Sequence, residues 1–350
     1  MRYVILGAGA IGGAIGGKLA AHGHDVVLIA RGAHLEALRR DGLELRDPDS
    51  TERLDIRAVG SPAEVGLTSD DCVIVATKTQ QAESALDDLR AASDAATEGN
   101  GSAGATEGNG SAGAPDIAVV CATNGVEAER LALRRFANVY GMRVILAGTH
   151  LEPGVVEIAS APVFGLLDVG RYPSGGDARS EQIAADLKAS GFDACSTDEV
   201  MSFKYLKLLG NVGNALDAAC GTRMGNDTAK AIYQATQAEA RACLAAAGIK
   251  IADEERESVR RRLRGGLRPV NGVTHRGSSS WQSLERGTGN IEADYLNGEI
   301  VLLGRIHGIP TPVNTYLQQL ANRLATQRRP AGSVPIEEIA ARLDLGGVLG

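Results

Sequence analysis

The chain has 350 residues, 44% of them hydrophobic and only 3% aromatic, with a formal net charge of −7. That length exceeds one ordinary core and suits two domains. The acidic balance excludes the basic footprint of a nucleic-acid-binding protein, and Arg260-Arg261-Arg262-Leu263-Arg264 reads as a solvated helix face. Five isolated cysteines, with no C-x-x-C pair, suggest neither a metal site nor a disulfide framework and point to a reducing compartment, the cytoplasm. No run of about 18 strongly apolar residues is present to span a membrane.

A short apolar run, Arg2-Tyr3-Val4-Ile5-Leu6, reads as a buried strand stopped at once by Gly7-Ala8-Gly9-Ala10-Ile11-Gly12. The glycines fit G-x-G-x-x-G. Gly7 allows the tight turn, Gly9 lets a pyrophosphate approach the backbone, and Gly12 lets helix pack close to strand. Ala10 and Ile11 lie where the helix begins, its free N–H groups aimed at the phosphates. A second strand, Asp25 to Ala30, completes a βαβ unit and predicts dinucleotide binding. Where an NAD site would place Asp or Glu, this chain has Ala30-Arg31-Gly32. The planar, charged fork of Arg31 suits a 2′-phosphate, so the expected cofactor is NADPH.

Residues 32–40 read as a helix. Gly42 to Arg46 and Arg53 to Arg57 alternate apolar and polar, predicting an antiparallel pair. Asp71 to Ala76 and Ile117 to Ala122 are further buried strands. They end in Thr77-Lys78-Thr79-Gln80 and Thr123-Asn124-Gly125, at the carboxyl edge where open α/β sheets bind ligands. Between them, Ala96 to Gly104 recurs residue for residue as Ala105 to Gly113, a composition too poor in apolar surface to order. A flexible loop over 96–114 is expected. Val139 to Ala147, Val155 to Ala159 and Val163 to Leu167 are later strand candidates.

Helical patterns follow: Glu181 to Ser190, Met201 to Ala219, Thr228 to Ala247, Glu254 to Leu263, Ile291 to Ile306 and Asn314 to Thr326, with Pro335 opening a short terminal helix. The expected fold class is α/β, a Rossmann-type doubly wound sheet over 1–175 followed by an all-helical domain over 180–330 and a tail over 331–350. In the helical part, Lys207, Asn211 and Asn214 lie four and three residues apart and share one face of an apolar helix. That stripe either meets solvent or lines a small polar substrate. Ser280 either caps a helix or binds a ligand, and Glu292 is open to a similar choice as a first-turn carboxylate.

Over nearly its full length, from the glycine turn to about residue 325, the chain resembles the ketopantoate reductase (2-dehydropantoate 2-reductase) family. The glycine turn with Arg31 looks like that family's NADPH turn and 2′-phosphate arginine, and Lys78 and Asn124 match its two strand-end residues near the nicotinamide. Lys207 with Asn211 resembles its K-x-x-x-N. Ser280, twelve residues before Glu292, has the spacing of its substrate-binding serine and carboxylate. Glu292-Ala293-Asp294-Tyr295-Leu296-Asn297-Gly298 looks like its E-x-D-Y-x-N-G signature. Asn214 follows Asn211 by three residues where the family commonly has four, Asn226 is the candidate for the family's further asparagine, and Glu157 lies in a segment where many members carry histidine.

The resemblance implies NADPH-dependent reduction of a small 2-oxo acid, ketopantoate first among them, in pantothenate biosynthesis. It implies Lys207 as the cation that meets the ketone oxygen and donates the proton, with Asn124 orienting the lysine or the substrate. Asn211, Asn214 and Ser280 would position carboxylate and hydroxyl groups, and Glu292 would accept a hydrogen bond from a substrate hydroxyl. The alternatives are a reductase of another 2-oxo acid or aldehyde and a non-catalytic NADP-binding redox sensor. Retention of Lys207, Ser280 and Glu292 together speaks against the sensor. No metal, nucleic acid or membrane partner is expected, and a homodimer is left open.

Overall fold

The computed structural model describes residues 1–99, 116–222, 225–263, 266–274 and 277–343. Most of the expected loop at 96–114, including the second copy of the repeat, lies outside the described residues. The chain divides into two compact units, Met1–Met201 with Asp253–His275, and Ser202–Ala252 with Arg276–Gly350.

In chain order the first unit begins with β1 (Arg2–Leu6), α1 (Ala10–Ala21), β2 (Val26–Ile29), α2 (Gly32–Asp41), β3 (Leu43–Arg46), β4 (Thr51–Leu54) and β5 (Arg57–Val59). It continues through β6 (Asp71–Val75), α3 (Thr79–Gly99), β7 (Ala118–Cys121), α4 (Ala128–Leu133) and β8 (Val139–Ile145). Then come β9 (Gly148–Thr149), β10 (Val155–Ile158), β11 (Leu166–Arg171), α5 (Ala178–Ala189) and β12 (Asp193–Ser196). The main sheet is eight-stranded, in the order β12-β11-β8-β7-β6-β1-β2-β5, with only the β8–β11 pair antiparallel.

Successive strand side chains point to opposite faces, so a sheet covered by helices on both faces needs apolar residues at every position. Tyr3, Ile5, Val26, Leu28, Cys72 and Ile74 join one core with Ile15 and Leu19 of α1 and Ile183 and Leu187 of α5. Val4, Leu6, Val27, Ile29, Val73 and Val75 join the other with Leu86 and Leu89 of α3. This is the doubly wound arrangement.

A smaller sheet, β4-β3-β10-β9, packs on α1 from the side opposite the main sheet. An added Cβ at Gly16 would lie 2.8 Å from Ile5, on the main sheet, and one at Gly17 would lie 2.9 Å from Leu43, on the small one. The glycines of α1 beyond the turn thus serve helix burial between two sheets. The expected strand Arg53 to Arg57 divides. β4 pairs antiparallel with β3, but Asp55 and Ile56 turn the chain so that β5 extends the main sheet beside β2. Alternation alone does not reveal such a switch, because both halves keep the same period.

Helix α9 (Glu254–Leu263) follows α6 (Val200–Asn211), α7 (Asn214–Cys220) and α8 (Asp227–Ala246) in the sequence but belongs to the first unit. A buried ion network holds it there. Arg143 on β8 is fully buried and pairs with both Asp168 of β11 and Glu257 of α9. Arg260 donates to Asp193 at 2.9 and 2.8 Å and to Asp168 at 3.0 Å. Burial opposes the charged form of Arg260, but these carboxylates raise its pKa above the ordinary value. The reading of residues 260–264 as a solvated face therefore fails at Arg260, while Arg261 and Arg262 are exposed as expected. A sequence run of arginines does not tell which one meets a carboxylate contributed by a strand far earlier in the chain.

The second unit holds α10 (Ser279–Glu285), α11 (Asn297–His307), α12 (Pro312–Thr326) and α13 (Ile336–Arg342) around α7 and α8. Residues after 330 join this core: Gly332 N donates to Ala218 O at 2.9 Å, and Ile339 is fully buried. The helix expected over Met201 to Ala219 is interrupted at Val212 and Gly213. Removing one partner of a buried ion pair strands the other charge, so Glu257→Ala should destabilise the protein by about 3–5 kcal/mol in urea unfolding. The exposed neighbour Arg262→Ala should change stability by no more than about 0.5 kcal/mol.

Candidate active site

Strand register brings the expected cofactor residues of the first unit side by side. Leu6 pairs with Ile29 on one side and Val75 on the other, and Val75 pairs with Cys121. The chain leaves β1 for β2 and returns across β1 to β6, so the topological switch point lies at the β1–β6 carboxyl edge. The Gly7–Gly12 turn, Arg31, Lys78 and Asn124 all follow these strand ends. Thr79 Oγ1 donates to Asn124 O at 3.0 Å and ties the last two loops together.

The turn itself is built for close approach. Gly7 has φ +103°, a conformation that side chains disfavour. A Cβ on Gly12 would lie 2.1 Å from Gly7 O, whereas one on Gly9 would meet nothing within 4 Å. The backbone is closed on the sheet side and open at Gly9. Helix α1 has no side-chain cap and no acidic residue in its first turn, so no capping side chain or carboxylate of that turn meets the N–H groups around Ala10, Ile11 and Gly12. Arg31 is the N-cap residue of α2, with a 72% exposed side chain and a surface pair to Asp88 at 3.1 Å. Thr77, which the sequence reading passed over, has a buried hydroxyl with no hydrogen-bond partner among the described residues. Its signal was its position, one residue before Lys78 at a strand end.

His34 holds this turn from α2. Its Nδ1 accepts from Gly154 N at 2.9 Å, so in the neutral ring Nε2–H donates to Ala8 O at 2.8 Å. The ring also lies 4.2 Å, centroid to centroid, from His150. Burial, then the neighbouring His150, hold the His34 pKa below the usual imidazole value, and the bond to Ala8 opposes this.

The remaining predicted residues belong to the second unit. Lys207 and Asn211 are half-buried on α6, and Asn214, 5% exposed, is the first residue of α7. Asn211 Nδ2 is buried and has no hydrogen-bond partner among the described residues. Lys204 is only 3% exposed, more buried than Lys207. Ser278 caps α10 through Trp281 N at 3.2 Å, and its own N–H donates to Asp217 of α7 at 2.8 Å. Capping therefore falls to Ser278. Ser280, two residues on, is 3% exposed on a helix anchored to the one that carries Asn214.

Glu292 is also 3% exposed and starts a single 3₁₀ turn before α11. Arg286, which no sequence motif singled out, closes α10. Burial pushes its pKa down, and the carboxylate of Glu292 opposes that shift. Asn226 and Glu157 both have structural occupations. Asn226 caps α8 through Ala229 N at 2.8 Å, and Glu157 pairs with Arg46 at 3.3 Å.

A switch-point glycine turn, an exposed arginine after β2 and a helical unit with buried amides, serine and carboxylate define a dinucleotide-dependent oxidoreductase. Family models for ketopantoate reductase PanE/ApbA and for its C-terminal region match residues 3–173 and 199–325. The chain belongs to the ketopantoate reductase family. A 2-dehydropantoate 2-reductase of Mesorhizobium japonicum is 30% identical over 342 residues, covering 94% of this chain and 99% of that one. A PanE/ApbA family ketopantoate reductase of Ralstonia eutropha, known from its crystal structure, is 27% identical with a TM-score of 0.74, over 94% of this chain and 100% of that one. D-mandelate dehydrogenase in complex with NADH and anilino(oxo)acetate is 22% identical with a TM-score of 0.75, over 94% and 99% of the two chains, and shares the fold.

The His34 geometry sets a pH dependence. A histidine whose folded pKa is depressed stabilises the fold above its ordinary pKa, and that contribution is lost as pH falls through the folded value. Melting temperature should therefore fall on acidification below about pH 6.5. The slope should be shallower in His34→Gln, and an unchanged slope would show that His34 is not the titrating group.

Proposed function

We propose that this chain reduces 2-dehydropantoate (ketopantoate) to pantoate, with NADPH as the reductant. One observation carries the reading. A member of this family buries Ser280 and Glu292 in the helical unit that also carries Lys207 and Asn211, whose Nδ2 has no hydrogen-bond partner among the described residues. Burying a polar group without a partner is costly, so this Asn211 amide is retained for a polar ligand rather than for stability. The mandelate dehydrogenase likeness is one of fold and favours no other substrate.

The first unit fits the dinucleotide. The open side at Gly9 and the uncapped N-terminus of α1 suit the pyrophosphate. The exposed fork of Arg31 suits the 2′-phosphate, and Thr77, Lys78 and Asn124 are assigned to the nicotinamide end. When bound, NADPH supplies the hydride that the ketone carbon accepts. Lys207 donates the proton from Nζ to the oxygen of that ketone, where negative charge develops. Asn211, Asn214 and Ser280 hold the substrate's carboxylate and hydroxyl by hydrogen bonds, and Glu292 accepts from its hydroxyl. All five cysteines are free, which suits a reducing compartment such as the cytoplasm.

Arg31→Ala should weaken NADPH binding by about 1.5–3 kcal/mol, toward the lower figure because the group is exposed, and leave NADH binding nearly unchanged. Equal affinity of the unmutated protein for the two cofactors would sink the assignment. Lys207→Ala should fold and bind NADPH normally yet reduce ketopantoate roughly a hundred times more slowly or worse, the usual cost of losing a transition-state donor. Lys204→Ala is a poor control, because that lysine is nearly fully buried. A panel of 2-oxo acids with NADPH oxidation read spectrophotometrically tests the substrate, and a clear preference for another 2-oxo acid would overturn it.

A further inference from the structure

Asn297 belongs to the signature stretch Glu292–Gly298, yet the reaction above gives it no part. It is fully buried at the first position of α11, and its Nδ2 donates to Val212 O at 2.9 Å and to Asn314 Oδ1 at 3.0 Å. Val212 lies in the interruption between α6 and α7, with Asn211 on one side and Asn214 two residues on. In an unbroken helix its carbonyl would accept from the amide four residues later.

The polarity of the chain of bonds is fixed from its far end. Glu239 of α8 accepts from Val313 N and Asn314 N at 2.9 Å each, capping α12 in place of its own N-cap residue. Asn314 Nδ2 must face that carboxylate at 2.8 Å and Thr236 O at 3.0 Å, so its Oδ1 faces Asn297. Asn297 in turn offers both N–H groups, and its Oδ1 has no hydrogen-bond partner among the described residues. The side chain is kept for its donors.

Resting on the reading of the function above, we propose that Asn297 is a positioning residue: by donating to Val212 O it holds the helix interruption that sets Asn211 and Lys207 relative to Asn214, and so fixes the substrate-binding amides. It acts on the substrate only through that backbone. A buried donor tied to Asn314 of α12, and through it to α8, gives the interruption one defined geometry, and small displacements of positioning groups are costly to turnover.

The test compares unmutated protein, Asn297→Ala and Asn314→Ala, using steady-state kinetics with ketopantoate, NADPH affinity by fluorescence, melting temperature and amide hydrogen exchange. Asn297→Ala should lower kcat/KM for ketopantoate by roughly ten- to a hundred-fold, mostly through KM, with NADPH affinity unchanged and faster exchange at Gly213 and Asn214. Asn314→Ala keeps the bond to Val212 and should lose melting temperature without a comparable rise in KM. A purely structural role would make KM follow melting temperature alike in both variants, and kinetics within twofold of the unmutated protein in Asn297→Ala would equally overturn the proposal. If Asn297→Ala does not fold, Asn297→Asp, of equal size but without the donors, is read by the same criteria. If the unmutated protein reduces no 2-oxo acid, the functional reading has failed. Exchange at Gly213 and Asn214 then decides the clamp by itself: faster exchange supports it and unchanged exchange overturns it.

Discussion

The first unit depends on how closely α1 can lie against β1. The Cβ that Gly12 lacks would sit 2.1 Å from Gly7 O, so nothing larger than glycine permits this approach. Three consequences follow from that one contact. The strand-to-helix turn is tight enough to leave the first N–H groups of α1 pointing out over the sheet edge. The helix sinks far enough for the small sheet to close over its other side. The carboxyl ends of β1, β2, β6 and β7 then share one edge, where Arg31, Lys78 and Asn124 stand.

The second unit solves a different problem, the burial of polar side chains in an all-helical core. Asn297 and Asn314 do it by directing their amide donors to a chain of acceptors, Asn314 Oδ1, Glu239 and the carbonyl of a broken helix, at 2.8 to 3.0 Å. Asn211 Nδ2 is left without a partner among the described residues. The contrast separates the two kinds of buried amide: those that finish the fold and one whose donor is spare. Ser280 and Glu292 sit on elements held by the same logic, the first through Ser278 and Asp217 and the second beside Arg286.

The ion network around Arg143 shows how a segment between helices of one unit is committed to the other. Asp168 accepts from Arg143 and Arg260, and also from the Cys195 thiol at 3.0 Å. Burial and the Asp168 charge push that thiol up to about 11, so it stays protonated as a donor and not as a nucleophile. Asn226 and Glu157 are likewise engaged in a helix cap and a cross-strand pair.

The sequence by itself determined the βαβ opening, the strand ends that carry Lys78 and Asn124, the arginine after β2 and the helical second half, because each is written in local spacing. Glycine positions, uninterrupted β-branched runs and helical periodicity all act within a few residues. It did not determine that Arg260 is buried, that residues 253–275 join the first unit, that Arg53 to Arg57 serves two sheets, or that the helix after Met201 breaks at Val212. Those outcomes were decided by partners far away in the chain: Arg143 and Asp168 for the first two, the free edge of β2 for the third, and Asn297 for the last. A side chain's own sequence neighbours fix its periodicity, whereas the carboxylate or carbonyl that meets it is supplied only when the tertiary fold brings distant segments together.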